Sequence, residues 1–282
     1  MAERAPRFAA EHAWGWAGAA ATALVLAFLV LPVLAILPLS VNDSQFLTYP
    51  MRGLTGRWYE ELLTESRWTV ALRNTLVIGA LTAALATILG TMAAVGLALA
   101  DFRGKAALTA ALLSPLVVPV VVFGVGLALF FGRIGLTRTY AGLVIAHVAL
   151  ASPFVVVTVS ASLASFDRDL LRAARSLGAP PLLAFRRVVL PLILPGVVTG
   201  GLFAFAVSFD EVVTNIFLAG PQHRTLPREM FSALRENVSP AIAAAATVML
   251  AVAALLLTVV EILKHRARRH HASARAGVRG GA

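Results

Sequence analysis

The chain has no cysteine, which excludes a disulfide framework, a thiolate metal site and a cysteine nucleophile. Charged residues are scarce: they make up 13% of 282 positions, against about 25% in a soluble domain. Strict apolar–polar alternation is missing from the hydrophobic runs, so membrane-crossing strands are excluded. There is no P-loop. Gly104-Lys105 has no preceding glycine at the required spacing and no Ser or Thr after the lysine. The chain therefore carries no nucleotide site of its own, and any ATP chemistry must come from a partner. It also lacks a nucleophile elbow and a metal-spaced histidine pair, so no catalytic residue and no metal ligand is expected. Internal repeats and low-complexity segments are absent.

What is present is apolar sequence: 59% hydrophobic residues and a mean hydropathy of +0.84. A chain of this composition has the bilayer as its solvent. Six runs, at about 17–39, 74–100, 107–131, 140–163, 190–218 and 241–263, each reach the ~20 residues needed to cross ~30 Å of hydrocarbon as a helix. Pro32, Pro115, Pro119, Pro153 and Pro195 fall inside them, where neighbouring groups in a membrane bundle can satisfy the freed carbonyls. The first run is too long for a cleavable signal peptide and no small-residue cleavage site follows it. The expected fold is an all-α membrane protein of six transmembrane helices, with a tail at 1–16, a membrane domain at 17–263 and a basic tail at 264–282.

Six spans put both ends on one side. The N-tail, the 101–105 loop, the 164–187 loop and the C-tail hold 15 of the 24 Lys and Arg residues, and the other three loops hold 9. Positive-inside asymmetry places both termini and the 164–187 loop in the cytoplasm of a multi-pass membrane protein. The net charge of +10 reflects this asymmetry rather than a nucleic-acid site. The block from Lys264, KHRARRHH, is a topology anchor with affinity for anionic lipid.

The cytoplasmic loop is patterned. Leu170, Leu171, Ala174 and Leu177 share one face of a helix. Asp167 and Asp169 lie at its start, where Asp167 can cap it, and Gly178 with Pro180-Pro181 ends it. A second short helix, 182–189, feeds the fifth span. On composition alone this could equally be an amphipathic helix resting on headgroups. The pattern Ala173-Ala174-x3-Gly178-x9-Val188-x-Leu190-Pro191, however, resembles the EAA loop of ABC importer permeases of the type I, MetI-like fold. Arg172 departs from it, since that family usually has Glu there. Asn74-Thr75-Leu76, the stretch from Ala146-His147 to Thr158, Ser208-Phe209-Asp210-Glu211-Val212-Val213, Ala219-Gly220-Pro221, Thr225-Leu226-Pro227 and Ser239-Pro240 are similar to the spermidine/putrescine permease subgroup. The resemblance covers roughly 70–260. It implies a MetI-like bundle in a bacterial inner membrane, with a coupling helix in the 164–191 loop. Arg172, Ala173, Ala174, Gly178, Leu190 and Pro191 would then engage a separate ATPase. It further implies a pair of ATP-binding subunits holding the ATP and magnesium, a second homologous permease forming a heterodimer, and an extracytoplasmic solute-binding protein. No cofactor is implied for this chain itself.

Asp210 and Glu211 stand inside the fifth run. A carboxylate at membrane depth costs at least a few kcal/mol unless paired or wetted, which makes such residues functional candidates. At ~1.5 Å per residue Asp210 lies ~30 Å along the run from Leu190, nearer the outer face than the midplane. A polyamine needs carboxylates and aromatic faces, and Phe205 and Phe209 share a side with one of the acids. Adjacent helical residues point ~100° apart, so a regular helix aims one acid well. Asp210 is assigned that role. Glu211 either contacts the solute or pairs with an Arg or hydroxyl on a neighbouring span. His147 reads as a hydrogen-bonded packing residue. Gly124-x-Gly126 and Gly196-x3-Gly200 read as close helix approaches. Arg224, Arg228 and Arg235 either meet an acidic rim on a binding protein or are simply solvated. Two other classes compete with an ATP-driven permease. One is a secondary transporter driven through Asp210 and Glu211, and the other an intramembrane hydrolase using Asp210 and His147.

Overall fold

Small residues decide where the helices meet. A computed structural model of the chain describes residues 5–236 and 238–279, with side chains within 16–262. Its helices, in chain order, are α1 (Ala5–Leu39), α2 (Arg57–Thr64), α3 (Ser66–Leu99), α4 (Lys105–Leu113), α5 (Val120–Ile134) and α6 (Tyr140–Ala164). They continue with α7 (Arg168–Ser176), α8 (Pro181–Ala184), α9 (Leu190–Phe209), α10 (Val213–Leu218), α11 (Leu226–Glu236) and α12 (Pro240–Arg279). Among the described residues the only β pairing is one isolated bridge, Asn42 with Leu54.

Helices α3, α6 and α9 form the central triple. A Cβ on Gly90 of α3 would sit 2.7 Å from the Cβ of Val155 on α6. One on Gly200 of α9 would sit 3.0 Å from the Cα of the same Val155, and one on Gly196 would strike the Ser162 hydroxyl. Gly196 and Gly200 therefore bring α9 against α6, as their spacing predicts, and Val155 is the point where three backbones converge. Gly124 plays the same part for α5, where Phe217 of α10 occupies the space of its missing side chain. Gly126 faces open space, so only the first glycine of that pair is a close approach.

Among the described residues five helices are long and apolar enough to cross a membrane, and a sharply bent pair brings the number to six if it is one broken span. That pair corrects the third expected span. In place of one helix over 107–131 the chain runs from Lys105 to Leu116, turns through 102°, and resumes at Val120. Pro119 sits at the turn with a non-helical ψ of 126°, and it has no N–H to donate to the preceding helix. The fifth span is also shorter than expected. It ends at Phe209, not 218. Conversely, α3 begins at Ser66, eight residues before the apolar run does. The expected tails, 1–16 and 264–282, lie almost wholly outside the described side chains.

Two ends of the bundle are distinguishable. At one, Arg168 donates to the Ala98 carbonyl, and Leu171, Ala184 and Val189 join Leu97 and Leu163 in one buried cluster. At the other, Asn74 of α3 meets Tyr140 of α6 and the chain following α10. Asn74 and Ala98 are separated by about 36 Å of helix at 1.5 Å per residue, so the 164–191 loop and the 219–226 segment cap opposite ends.

Candidate functional site

Both acids sit at a break in a helix, which changes the geometry expected of them. Helix α9 closes with the Asp210 N–H on the Ala206 carbonyl at 3.2 Å and the Glu211 N–H on the Ser208 carbonyl at 3.4 Å. The chain then restarts as α10 at Val213. Glu211 makes the restart possible: its Oε1 accepts the Thr214 N–H at 2.8 Å. A carboxylate there satisfies an orphan donor and complements the positive end of the new helix. Glu211 thus caps the backbone of α10, a role that a continuous helix over this run does not predict. The 100° argument for choosing between the acids does not apply, because neither is in regular helix.

Asp210 is exposed and lines a cavity of about 480 Å³ between α1, α9, α11 and α12. Its neighbours there include Phe203, Phe209, Met230 and Leu250, with Val33 and Ile36 from α1 closing the far side. Among the lining residues Asp210 is the only ionisable group. Phe209 is buried and stacks on Phe205, ring centroids 5.6 Å apart and planes 23° apart. Phe205 lies over Gly79 of α3, where an added Cβ would meet its ring at 3.0 Å. The structure therefore brings Asp210 and Phe209 together in the cavity wall and puts Phe205 behind them, as packing against α3. Phe203 and Met230 are aromatic and polarisable lining residues that the sequence reading passed over. Phe203 had a signal, its position seven residues before Asp210 on one face, but Met230 and the α1 wall are joined to the site only by the fold.

His147 is buried, with Nδ1 2.7 Å from the Ser208 hydroxyl. It ties α6 to the last turn of α9 just before the break, the packing role expected of it. The three arginines near the opposite loop are engaged internally. Arg224 pairs with buried Glu229 at 3.3 Å, Arg228 donates to Ser232, and Arg235 stands 4.6 Å over the Phe231 ring.

The 164–191 loop folds as its pattern predicts at the start. Asp167 accepts the Asp169 N–H at 2.9 Å, and α7 ends at Gly178 with φ +81°, a left-handed conformation that favours glycine. Leu171 faces the core, whereas Leu177 is 88% exposed and Leu182 is also exposed. Arg172 points outward and pairs with its own helix's Asp169. Ala173 and Gly178 are exposed and Ala174 is half-buried, beside the exposed Arg168, Asp169, Arg172 and Arg175 of α7. The second short helix is α8, and it does not stop at 189. It widens into a π-helix over Phe185–Val189 and runs into α9, with Leu190 half-buried and Pro191 exposed in its first turn. Helix α8 and the fifth span thus form one continuous helix, and α7 is set off from them at Gly178.

Residues 86–269 match the family described as Binding-protein-dependent transport system inner membrane component. The chain is 34% identical to the Spermidine/putrescine transport system permease protein PotC of Haemophilus influenzae, over 88% of this chain and 95% of that protein. It is 36% identical to the Putrescine transport system permease protein PotI of Escherichia coli, over 86% and 88% of the two chains. Its fold is similar to a chain in the crystal structure of a bacterial alginate ABC transporter in complex with alginate pentasaccharide-bound periplasmic protein. There the TM-score is 0.69 at 18% identity, over 95% of this chain and 98% of the other. The family match over residues 86–269 and the 34% and 36% identity to relatives covered over most of their length lead to one conclusion: the chain belongs to the family of inner membrane components of binding-protein-dependent transport systems.

Proposed function

We propose that this chain is one of two permease subunits of an ATP-driven importer for polyamines or a related organic cation. The observation that carries the substrate class is Asp210, a lone carboxylate in a largely apolar cavity whose wall includes Phe203 and Phe209, beside a helix break. A carboxylate with aromatic faces nearby suits an alkylammonium group, and relatives of this chain are named for spermidine and putrescine. The exposed leucines of the 164–191 loop and its Ala173–Gly178 surface support docking of a separate ATPase, with ATP and magnesium held there. Rigid continuity from α8 through α9 supports transmission of that closure to the acid-bearing break, a two-state change biased by a bound partner. In this reading both termini and the loop face the cytoplasm, a homologous permease completes the path, and an extracytoplasmic binding protein delivers the solute at the far end. Arg172 serves as an outward cation on the docking face in place of the Glu usual there.

The test is uptake of radiolabelled putrescine and spermidine in cells co-expressing the ATPase, the second permease and the binding protein. Asp210→Asn lowers uptake about tenfold or more, the equivalent of one charge-assisted contact worth at least ~1.4 kcal/mol. Uptake of neither amine alongside robust uptake of a sugar or an anion overturns the substrate class. Uptake that persists without the ATPase overturns the energy source and returns the problem to a gradient-driven carrier.

A further inference from the structure

Asn74 and Thr75 stand near the start of α3. Both side chains are buried, and both are spent on a segment about 150 residues away. The Asn74 amide nitrogen donates to the carbonyls of Gln222 and Arg224, each at 2.9 Å. Its oxygen accepts from the Tyr140 hydroxyl at 2.7 Å. Tyr140 in turn meets His223 edge-on, with ring centroids 4.6 Å apart. Next door, the Thr75 hydroxyl donates to the Ala71 carbonyl of its own helix and accepts the Leu226 N–H at 2.7 Å. That N–H is the first of α11, an orphan donor by position, so Thr75 caps a helix that is remote in sequence. The segment is held elsewhere as well. The Leu218 carbonyl accepts from the Arg138 N–H at 2.8 Å, and Asn215 accepts the Thr225 N–H.

These bonds join the stretch just past the acid-bearing break to the two most central helices, at the end of the bundle opposite the 164–191 loop. We propose that Asn74 and Thr75 are a latch, positioning residues that fasten the 219–226 segment to α3 and α6 so that it moves with them as a lid over that end of the solute path. Every partner atom on the segment is backbone, so the latch holds its shape irrespective of its side chains. Without it, tilting of α3 and α6 reaches the lid more weakly, through the Tyr140–His223 contact and the bonds at Leu218 and Asn215. The lid then opens and closes out of step with the helices that drive it.

The isosteric change Asn74→Asp isolates the latch. The carboxylate still accepts from Tyr140 but presents oxygens, with no donor, to two carbonyls. The absence of cysteine allows spin labels at Gln222→Cys on the lid and Leu81→Cys on the outer face of α3, both exposed positions. In the purified chain in nanodiscs, pulsed electron spin resonance reads one narrow distance population, and Asn74→Asp broadens or splits it. This part is independent of any solute. In the reconstituted importer, which rests on the proposed function, the same variant lowers solute moved per ATP hydrolysed about tenfold, as two lost hydrogen bonds would, while ATP hydrolysis itself is retained. An unchanged distance distribution overturns the latch whatever happens to uptake. So does a parallel fall in uptake and hydrolysis, which places the loss in the ATPase step rather than in the lid. Should Asn74→Asp fail to accumulate, Thr75→Val releases Leu226 alone, and the same distance measurement decides.

Discussion

Substituting one methyl group at Gly200 should destabilise the bundle far more than the same change at Gly201, one residue away. At Gly200 the new Cβ falls 2.5 Å from the Thr158 hydroxyl and 3.0 Å from the Cα of Val155. The hydroxyl can rotate, but a backbone carbon cannot. Ordinary carbon–carbon contact begins near 3.5 Å, so α6 and α9 must separate by about half an ångström. Separation pushes Val155 toward Gly90 of α3, whose own missing Cβ position is already only 2.7 Å from the Val155 Cβ, so there is no slack on the far side. Overpacking of this kind costs about 1–3 kcal/mol, here near the upper figure, and the gain in helix propensity returns about 1 kcal/mol. The net is ~2 kcal/mol, or roughly 4–8 °C in Tm for a chain of this size. At Gly201 the one close atom is the Thr87 hydroxyl at 2.7 Å, with other Thr87 atoms at 3.8 Å. A side-chain rotation costing about 0.5–1.5 kcal/mol is offset by the same propensity gain, so Gly201→Ala is neutral within about 1 kcal/mol. Thermal loss of the monodisperse peak in detergent, measured side by side for the two variants, checks this. Equal shifts, or a larger one at Gly201, refute the convergence of three backbones at Val155.

Glu211→Gln should keep the cap on α10, since an amide oxygen still accepts the Thr214 N–H, whereas Glu211→Ala should lose about 1 kcal/mol. The same thermal assay separates them, and equal losses would mean that the charge, not the cap, matters. Gly178→Val places a β-branched side chain at φ +81° and should cost about 1–2 kcal/mol locally. Its surroundings are open, so the bundle stays folded while ATPase co-purification falls; intact co-purification sinks the docking role. Glu61 has its pKa raised by burial first and then by neighbouring Glu65, against a weaker opposing pull from Arg67. A carboxyl raised on folding adds stability while it stays protonated and loses it as pH rises past the ordinary carboxylate range. Glu61→Gln should therefore raise Tm at neutral pH and leave it unchanged in acid, and a larger gain in acid contradicts the sign.

Much of the fold was legible because its causes are local in the chain. Runs of apolar residues mark helices that cross ~30 Å of hydrocarbon, and Asp167, Gly178 and Pro180-Pro181 punctuate α7 by hydrogen bonding and dihedral limits that act within a few residues. Glycines at i and i+4, as at Gly196 and Gly200, announce a close approach without saying to what. The break at 210–212 carries no proline or glycine. Its only trace is a pair of acids, one of which can cap a new helix, and that reading competes with a continuous apolar run. The 102° bend after Leu116 had its proline in view, but whether a proline kinks or breaks a buried helix depends on the neighbours available to its freed carbonyls.

The amino-acid sequence by itself determined that this is a helical membrane protein with a patterned loop at 164–191 and two acids near the end of one apolar run. Those properties follow from hydropathy, period and short-range sterics. Only the tertiary structure decided that Glu211 caps a helix while Asp210 faces a cavity, that Phe205 packs against Gly79 and Phe203 lines the wall, and that Asn74 holds a segment about 150 residues away. Each of these depends on which helix lies against which. That is set by the summed packing of the whole bundle, to which no single stretch of the chain has access.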